Sequence, residues 1–130
     1  MKILLLEDND ERIQQFKDWI PSLDIAITAE EAINLLKANK YDLIFLDHDL
    51  GGKVFVDSSE FNTGYTVARY MRENLILSGM VIVHSHNVVG AANIKAVLPH
   101  AVLLPFGTFT CEVKVENNVV TKLNVKPIGN

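Results

Sequence analysis

Short apolar runs alternate along the chain with longer stretches in which apolar residues recur at helical spacing. Continuous apolar runs at 2–6, 43–46 and 80–83 predict strands that are buried on both faces, which is typical of a parallel sheet. Two shorter runs, 24–28 and 101–104, predict two further strands. The sequence therefore predicts five strands in one sheet.

The stretches between these runs predict helices. Apolar residues at helical spacing place them at 9 or 10 to 20, 29–39, 63–74 and 89–98, with a long loop over 47–62. Strands that alternate with helices favour a parallel sheet covered on both faces. The expected fold class is thus α/β, with a doubly wound five-stranded parallel sheet of the flavodoxin-like type.

The C-terminal part of the chain has a different pattern. Residues 108–115 and 119–125 alternate apolar and polar side chains around Glu116-Asn117-Asn118, which predicts a β-hairpin. This hairpin stands where one more helix would be expected. Because no linker or repeat interrupts the chain, we predict a single domain over 1–130, with a core over 1–106 and a hairpin extension over 107–130.

Composition narrows the function classes. The chain has 130 residues, and 48% of them are hydrophobic. Its formal charge is -4, so it lacks a general attraction to nucleic acid or anionic membranes. One cysteine, Cys111, excludes a disulfide within the chain and is expected to be packed and inert. The apolar start lacks the features of a signal peptide, and no run is long enough to span a bilayer. We therefore expect a cytoplasmic protein with no membrane partner, whose oligomeric state the sequence leaves open.

Polar side chains follow three of the predicted strands. Glu7-Asp8 follows the first, Asp47-His48-Asp49 the third and His84-Ser85-His86-Asn87 the fourth. Ligands of doubly wound sheets bind outside the carboxyl ends of the strands. The three clusters should therefore meet at one edge of the domain and form one site.

The segments ILLLEDND, IFLDHDL, NTGYTVARYMREN and LLPF resemble a response-regulator receiver domain over about residues 1–106. The resemblance implies that Glu7, Asp8 and Asp47 bind magnesium, with the backbone carbonyl of Asp49 completing the metal shell. It also implies that Asp47 is the phosphoacceptor and that Ser85 occupies the position of the receiver hydroxyl residue.

One position departs from the receiver pattern. Receivers carry a lysine just before the proline that follows the fifth strand, and here Leu104 precedes Pro105. An apolar side chain cannot supply the charge of that lysine. The motifs LDHDL and HSHN are more similar to the cyclic-phosphate-processing receiver-like domains. This resemblance implies a derived receiver, of bacterial or phage type, that acts on terminal cyclic phosphates of RNA in the context of RNA repair.

The residue types at the strand ends fit that chemistry. Carboxylates of Asp8, Asp47 and Asp49 could hold Mg²⁺ or Mn²⁺, and convergence of His48 with the other two histidines would make Zn²⁺ an alternative. The two histidines of the fourth-strand cluster, His84 and His86, suit proton transfer. The residues expected to bind phosphate, through side chains or a helix start, are Ser85, Asn87 and Gly90. The residues Lys53, Arg69, Arg72 and Lys95 are further candidates for phosphate contacts.

Several of these residues also have a purely structural interpretation. His48 could pack away from the site, Asp49 could belong to a turn, Asn87 could cap a helix and Gly90 could serve packing. The loop 53–61 could be a substrate lid or an ordered insertion, and Trp19 and the phenylalanines are expected in the core rather than stacked on bases.

Three functional hypotheses follow. The first is a metal-dependent phosphoesterase-like domain, a possible hydrolase of the cyclic phosphodiesterase type, whose partner is an RNA end or a phosphorylated small molecule. The second is an atypical receiver that binds or signals without turnover. The third, disfavoured by Leu104, is a phosphoacceptor receiver that uses Asp47. A shared cleft for Asp47 and His84 or His86 favours the first.

Overall fold

The computed structural model describes residues 1–77 and 79–129. Five strands pair in parallel in the order β2-β1-β3-β4-β5. Their bounds are Ile3–Leu6 (β1), Asp24–Ala26 (β2), Leu43–Leu46 (β3), Met80–Val83 (β4) and Val102–Leu103 (β5). This arrangement confirms the predicted doubly wound parallel sheet.

The helices lie between the strands, as predicted. Their bounds are Asp10–Trp19 (α1), Ala29–Ala38 (α2), Gly64–Glu73 (α3) and Val88–Val97 (α4). Asn9, Thr28, Thr63 and Asn87 cap them, each through a side-chain oxygen that accepts a backbone N–H of the first turn. Each β-α connection therefore ends on a residue type that stops the strand and starts the helix.

An antiparallel hairpin follows the sheet, also as predicted. Its strands are β6 (Phe109–Glu116) and β7 (Val119–Pro127), and Asn117 and Asn118 form the turn with positive φ angles of 52° and 64°. Asparagine tolerates this left-handed conformation, which type I′ hairpin turns require.

The two faces of the sheet are covered differently. On what we call the helix face, Leu4, Leu6, Ile44, Leu46, Val81 and Val83 pack against residues of α2, α3 and α4. On the hairpin face, Ile3, Leu5, Phe45 and Ile82 pack against α1 and the hairpin. Alternate residues of each strand thus point to opposite faces of the sheet, and both faces are buried.

The aromatic residues divide between the core and the surface. Phe16, Phe45 and Phe109 are fully buried on the hairpin face, with ring centroids of Phe16 and Phe45 5.0 Å apart. Phe55 and Phe61 are 80% and 63% exposed, so the expectation that the phenylalanines lie in the core is wrong for these two. Cys111 is a buried free thiol whose pKa burial raises to about 12, as expected for an inert residue.

Strands β2 and β5 are shorter than the sequence predicted, and the other boundaries differ from the prediction by at most two residues. Strand β5 has two residues rather than four, because Val102 and Leu103 lie at the open edge of the sheet and stay partly exposed. Helix α4 starts one residue early, at Val88. No helix within the described ranges is long and apolar enough to cross a membrane.

Candidate functional site

A pocket of about 520 Å³ opens at the carboxyl ends of β1, β3 and β4. The predicted site residues on its wall are Glu7, Asp8, Asp47, Asp49, Ser85, His86 and Asn87. The structure therefore brings together members of all three strand-end clusters. His48, His84 and Gly90 are buried and do not line this pocket.

Strand register explains which side chains converge. Leu5, Phe45 and Ile82 are paired neighbours on the hairpin face, and the pairing continues for two more residues through hydrogen bonds from the Asp47 and His84 backbone N–H groups. Side chains two positions further along each strand point to the same face. This continuation places Glu7 after β1, Asp47 after β3 and His84 after β4 in one row, which we call the acidic row.

Glu7 is the buried carboxylate of that row. Its Oε2 accepts the backbone N–H groups of Asp8 and Asn9 at 3.0 and 3.2 Å, and its Oε1 lies 3.1 Å from Nε2 of His84. Burial alone would raise the pKa of Glu7, but the hydrogen bonds from His84 and the Asn9 backbone keep that pKa below its ordinary value. Glu7 is thus a charged group at neutral pH.

His84 is the neutral partner of Glu7. The ring is fully buried against Phe16 and Phe45, and this burial lowers the pKa of His84. In the neutral ring Nε2 donates its proton to Glu7, and Nδ1 then has no hydrogen-bond partner among the described residues. His84 therefore acts on the site through Glu7 rather than from the pocket wall.

Asp47 lies between the other two groups, with Oδ1 accepting the backbone N–H of His48 at 2.8 Å. Burial first, and then the charge of Glu7, raise the pKa of Asp47 to about 8. Gly64 allows the start of α3 to lie against the Asp47 backbone, because a Cβ at that position would lie 1.8 Å from the carbonyl oxygen of Asp47. Without a metal, burial and the charge of Glu7 therefore favour the protonated form of the Asp47 carboxyl group.

The same row could hold a divalent cation. Ligand atoms of Glu7, Asp47 and His84 all lie within 4.8 Å of one another. Two carboxylates and an imidazole form a donor set that suits Mn²⁺ or Zn²⁺ and, through the carboxylates, Mg²⁺. Asp8 lies on the same pocket wall, where its Oδ2 accepts the backbone N–H of Gly52 at 2.8 Å. The donor chemistry therefore fits a metal site.

His86 is the histidine that lines the pocket. Its Nε2 donates to the carbonyl oxygen of Phe106 at 2.6 Å, which leaves Nδ1 as the basic nitrogen. That Nδ1 accepts a hydrogen bond from Nη2 of Arg12 at 3.4 Å. The hydrogen bond to Phe106 orients the His86 ring so that Nδ1 faces the Arg12 guanidinium.

Arg12 is a site residue that the sequence-based reasoning missed. Its guanidinium lies 3.7 Å from Oε1 of Glu7 and 5.2 Å from the centroid of the Phe106 ring. It lines the pocket from the first turn of α1, three residues after the cap Asn9. No local pattern marks this role, because the contacts of Arg12 depend on how α1 packs over the sheet. Arg12 gives the pocket a fixed positive charge.

The position of the missing lysine is filled by apolar packing. Leu104 is half-buried on the hairpin face, together with Phe106. Of the basic residues proposed for phosphate contact, Lys53 lines the pocket, whereas Arg69 lies in a different cavity. The positive side of the site is therefore built from Arg12 and Lys53, and no charge comes from the end of β5.

Asp49 and Asn87 hold the loop that forms one wall of the pocket. Asp49 accepts the backbone N–H groups of Phe55 and Val56 at 2.6 and 3.2 Å, and Asn87 donates Nδ2 to Asp49 at 3.0 Å. These hydrogen bonds, with one from His48, outweigh burial and lower the pKa of Asp49. The Asn87 Oδ1 caps α4 through Gly90, as the structural interpretation anticipated.

His48 follows the helix-face parity of Leu46 and points away from the pocket. Its Nδ1 lies 2.8 Å from Asp49 and its Nε2 lies 2.8 Å from Oγ of Ser58, so the ring ties the loop to its base. Gly90 packs directly on this ring, since a Cβ there would lie 2.4 Å from it. The three histidines of the predicted clusters therefore have separate partners and do not converge on one zinc-type site.

Ser85 is the hydroxyl group of the pocket. It is buried, and its Oγ accepts the backbone N–H of Asn87 at 3.0 Å while its own proton is left to donate. It lines the same pocket as Asp47 and Arg12. A phosphate oxygen in the pocket would thus find both a hydroxyl donor and a guanidinium.

The parallel sheet, the acidic row and the hydroxyl after β4 define a receiver domain. The family model of the cyclic-phosphate processing receiver domain matches residues 2–100, and the chain belongs to that family. No curated protein matches the chain. Membership covers the three strand-end clusters but not the hairpin.

Several solved structures of similar fold are response-regulator receivers. The response regulator TrrA from Thermotoga maritima, in complex with Mg²⁺ and BeF, has a TM-score of 0.63 at 21% identity, over 82% of this chain and 90% of that chain. A two-component response regulator from Clostridium difficile has a TM-score of 0.63 at 23% identity, over 82% of this chain and 84% of that one. At such identity the likeness shows the fold alone.

Proposed function

We propose that the domain hydrolyses a cyclic phosphodiester at an RNA end or in a nucleotide, with a divalent cation at Glu7 and Asp47. The observation that carries this proposal is that Asp47, Ser85, His86 and Arg12 line one pocket. A protonated or metal-binding carboxyl group, a hydroxyl donor, a basic imidazole and a guanidinium together match the needs of phosphoryl chemistry. Family membership supports the class of substrate.

The proposed reaction adds water across one phosphorus–oxygen bond of the ring. The hydroxide part of water bonds to phosphorus and its other proton passes to His86, one ring P–O bond breaks, and the freed ribose oxygen takes a proton from solvent, to which His86 then returns its own. The Nδ1 atom of His86 would exchange its long hydrogen bond from Arg12 for one from the attacking water and accept the proton of that water, because its Nε2 is already bonded to Phe106. The product is a phosphomonoester beside a free hydroxyl group.

Charge on the phosphate needs compensation as the ring opens. Arg12 offers a cation next to the pocket, and Ser85 offers a hydroxyl hydrogen bond. A bound divalent cation would polarise a phosphoryl oxygen and add positive charge at the acidic row. His84 and two backbone N–H groups hydrogen-bond the Glu7 carboxylate, and they would hold it in position as a metal ligand.

The test uses metal-stripped protein and an RNA oligomer that ends in a 2′,3′-cyclic phosphate. Mg²⁺, Mn²⁺ and Zn²⁺ are added back one at a time, and Asp47→Asn and His86→Gln are compared with the exposed control Lys122→Gln. We expect metal-dependent ring opening that falls at least about 100-fold in both site variants and is unchanged in the control. Absence of turnover by folded wild-type protein with every metal would contradict the proposal.

A parallel incubation with acetyl phosphate and Mg²⁺ tests the phosphoacceptor alternative. We expect no acid-labile label on Asp47, because Leu104 supplies no charge to the phosphoryl group. Label that disappears in Asp47→Asn would favour a conventional receiver instead.

A further inference from the structure

The pocket is larger than its phosphate-binding residues need. Its volume of about 520 Å³ lies in the range of sites for whole small molecules rather than single anions. The apolar side chains of its lining are Val54 and Phe55, from the loop after β3. A ligand that fills the pocket would therefore carry an apolar or aromatic part beside its phosphate.

Phe55 is presented to solvent in an unusual conformation. The side chain is 80% exposed and its neighbour Val54 is 77% exposed, although both are large apolar residues. The φ angle of Phe55 is 52°, in the left-handed region that a bulky residue rarely adopts. Strained residues of this kind concentrate at ligand-binding positions.

The loop around Phe55 is held by the site itself. The Phe55 backbone N–H donates to Oδ2 of Asp49 at 2.6 Å, and the carbonyl oxygen of Val56 accepts Nδ2 of Asn87 at 3.2 Å. His48 bonds both Asp49 and Ser58, further along the same loop. Phe55 is thus an aromatic surface fixed to the phosphate pocket at two points.

We propose that Phe55 stacks on the nucleobase of a ligand whose cyclic phosphate sits between Arg12 and Ser85. The substrate class would then be a nucleoside 2′,3′-cyclic phosphate, free or at an RNA end, and not a base-free cyclic phosphate. This inference rests on the proposed function. Stacking on an aromatic ring is the common way in which proteins hold unpaired terminal bases, and every base offers a face to it.

The experiment compares Phe55→Ala with Phe61→Ala, a matched control that is 63% exposed but lines a separate cavity. Substrates are adenosine 2′,3′-cyclic phosphate, an RNA oligomer with the same end, and base-free ribose 2′,3′-cyclic phosphate. In Phe55→Ala we expect KM for the first two substrates to rise about 5- to 100-fold, with the base-free KM unchanged. Phe55→Trp should restore KM, and Phe55→Leu should not.

Three results would overturn the inference. They are an equal loss on the base-containing and base-free substrates, a Phe55→Leu variant equal to wild type, and a loss confined to the oligomer. The last would mean that the ring contacts RNA away from the terminal base. Because Phe55 is exposed, the variants should melt within a degree or two of wild type.

Calorimetric binding keeps this inference separate from the proposed function. If wild-type protein binds adenosine 2′,3′-cyclic phosphate without turnover, the hydrolysis proposal fails. The stacking inference then stands only if Phe55→Ala weakens that binding while base-free ribose 2′,3′-cyclic phosphate binds both proteins equally. Wild-type protein that binds the nucleotide no better than the base-free compound would overturn the stacking inference alone.

Discussion

The two faces of the sheet differ in what covers them and in what they contribute to the site. The helix face carries three helices and supplies the His48, Asp49 and Asn87 network that holds the loop. The hairpin face carries α1 and the hairpin, and it supports His84, Arg12 and Phe106. Asp47 lies on the hairpin face in one row with His84, whereas its neighbour His48 points to the helix face.

This comparison explains how a receiver scaffold can hold a different set of charged groups. The receiver lysine would follow β5, yet that position is Leu104, which packs on the hairpin face. On the same face the pocket instead has Arg12 from α1, which packs on Phe106. The hairpin and the altered charge pattern therefore belong to one region of the molecule.

The largest expected effect concerns the burial supplied by the hairpin. Phe109→Ala should lower the free energy of unfolding by about 3–5 kcal/mol, because it removes a fully buried ring that packs against both Phe16 and Phe45. Urea denaturation followed by circular dichroism measures it. Val115→Ala, on the same strand but 46% exposed, is the control and should change stability by less than about 0.5 kcal/mol. Similar losses in both variants would mean that the hairpin does not complete the core.

The next effect tests the helix-face half of the site. Gly90→Ala should destabilise the protein by about 1–3 kcal/mol, because its Cβ would lie 2.4 Å from the buried His48 ring. The adjacent Val89→Ala, at a position that is 71% exposed, should be nearly neutral. Helix propensity favours alanine over glycine, so a stabilised Gly90→Ala protein would show that His48 can move aside.

The sequence predicted the elements of the fold better than the partners of each histidine. Apolar runs and the Glu116-Asn117-Asn118 turn were sufficient for the sheet and the hairpin. Side chains two residues apart on a strand point to the same face. Applied to Leu5, Phe45 and Ile82, this strand parity also places Glu7, Asp47 and His84 in one row, with His48 on the other face. Parity requires the register between strands, which depends on long-range pairing and not on local pattern.

Two other features lay beyond local pattern altogether. The contact of Arg12 with Glu7 and Phe106 depends on how α1 packs over the sheet. The exposure of Phe55 depends on the hydrogen bond from its backbone to Asp49, six residues away. Phenylalanine is buried in most proteins, so the sequence predicts a core position for it. Only the structure shows that Phe55 is exposed.

The third prediction tests the hairpin-face half of the site. Arg12→Gln should lower kcat/KM on a cyclic-phosphate RNA end about tenfold, equivalent to about 1.4 kcal/mol, because the substituted amide carries no charge. Arg12→Lys should retain part of the activity, and Lys17→Gln, on the exposed end of α1, should retain all of it. Activity of Arg12→Gln within twofold of wild type would assign the positive charge elsewhere, with Lys53 the next candidate.

The last prediction concerns Asp47, whose effect on stability is spread over a range of pH. In metal-free protein its pKa of about 8 lies above the ordinary 3.8, because burial and the charge of Glu7 oppose ionisation. The folded state then binds a proton that the unfolded state has released, so this group's contribution to stability is lost as pH rises towards and through 8. The slope for one proton is at most about 1.4 kcal/mol per pH unit.

The useful window for this measurement is pH 6.5–8. Below pH 6.5 the unfolded chain protonates His84, whose pKa burial lowers in the folded state, and this opposes the effect of Asp47. Urea midpoints measured in EDTA should therefore fall with pH in the wild type and fall less in Asp47→Asn, since all other titrating groups are common to both proteins. Parallel slopes would mean that Asp47 is already ionised, and the acidic row would then carry two negative charges with no metal present.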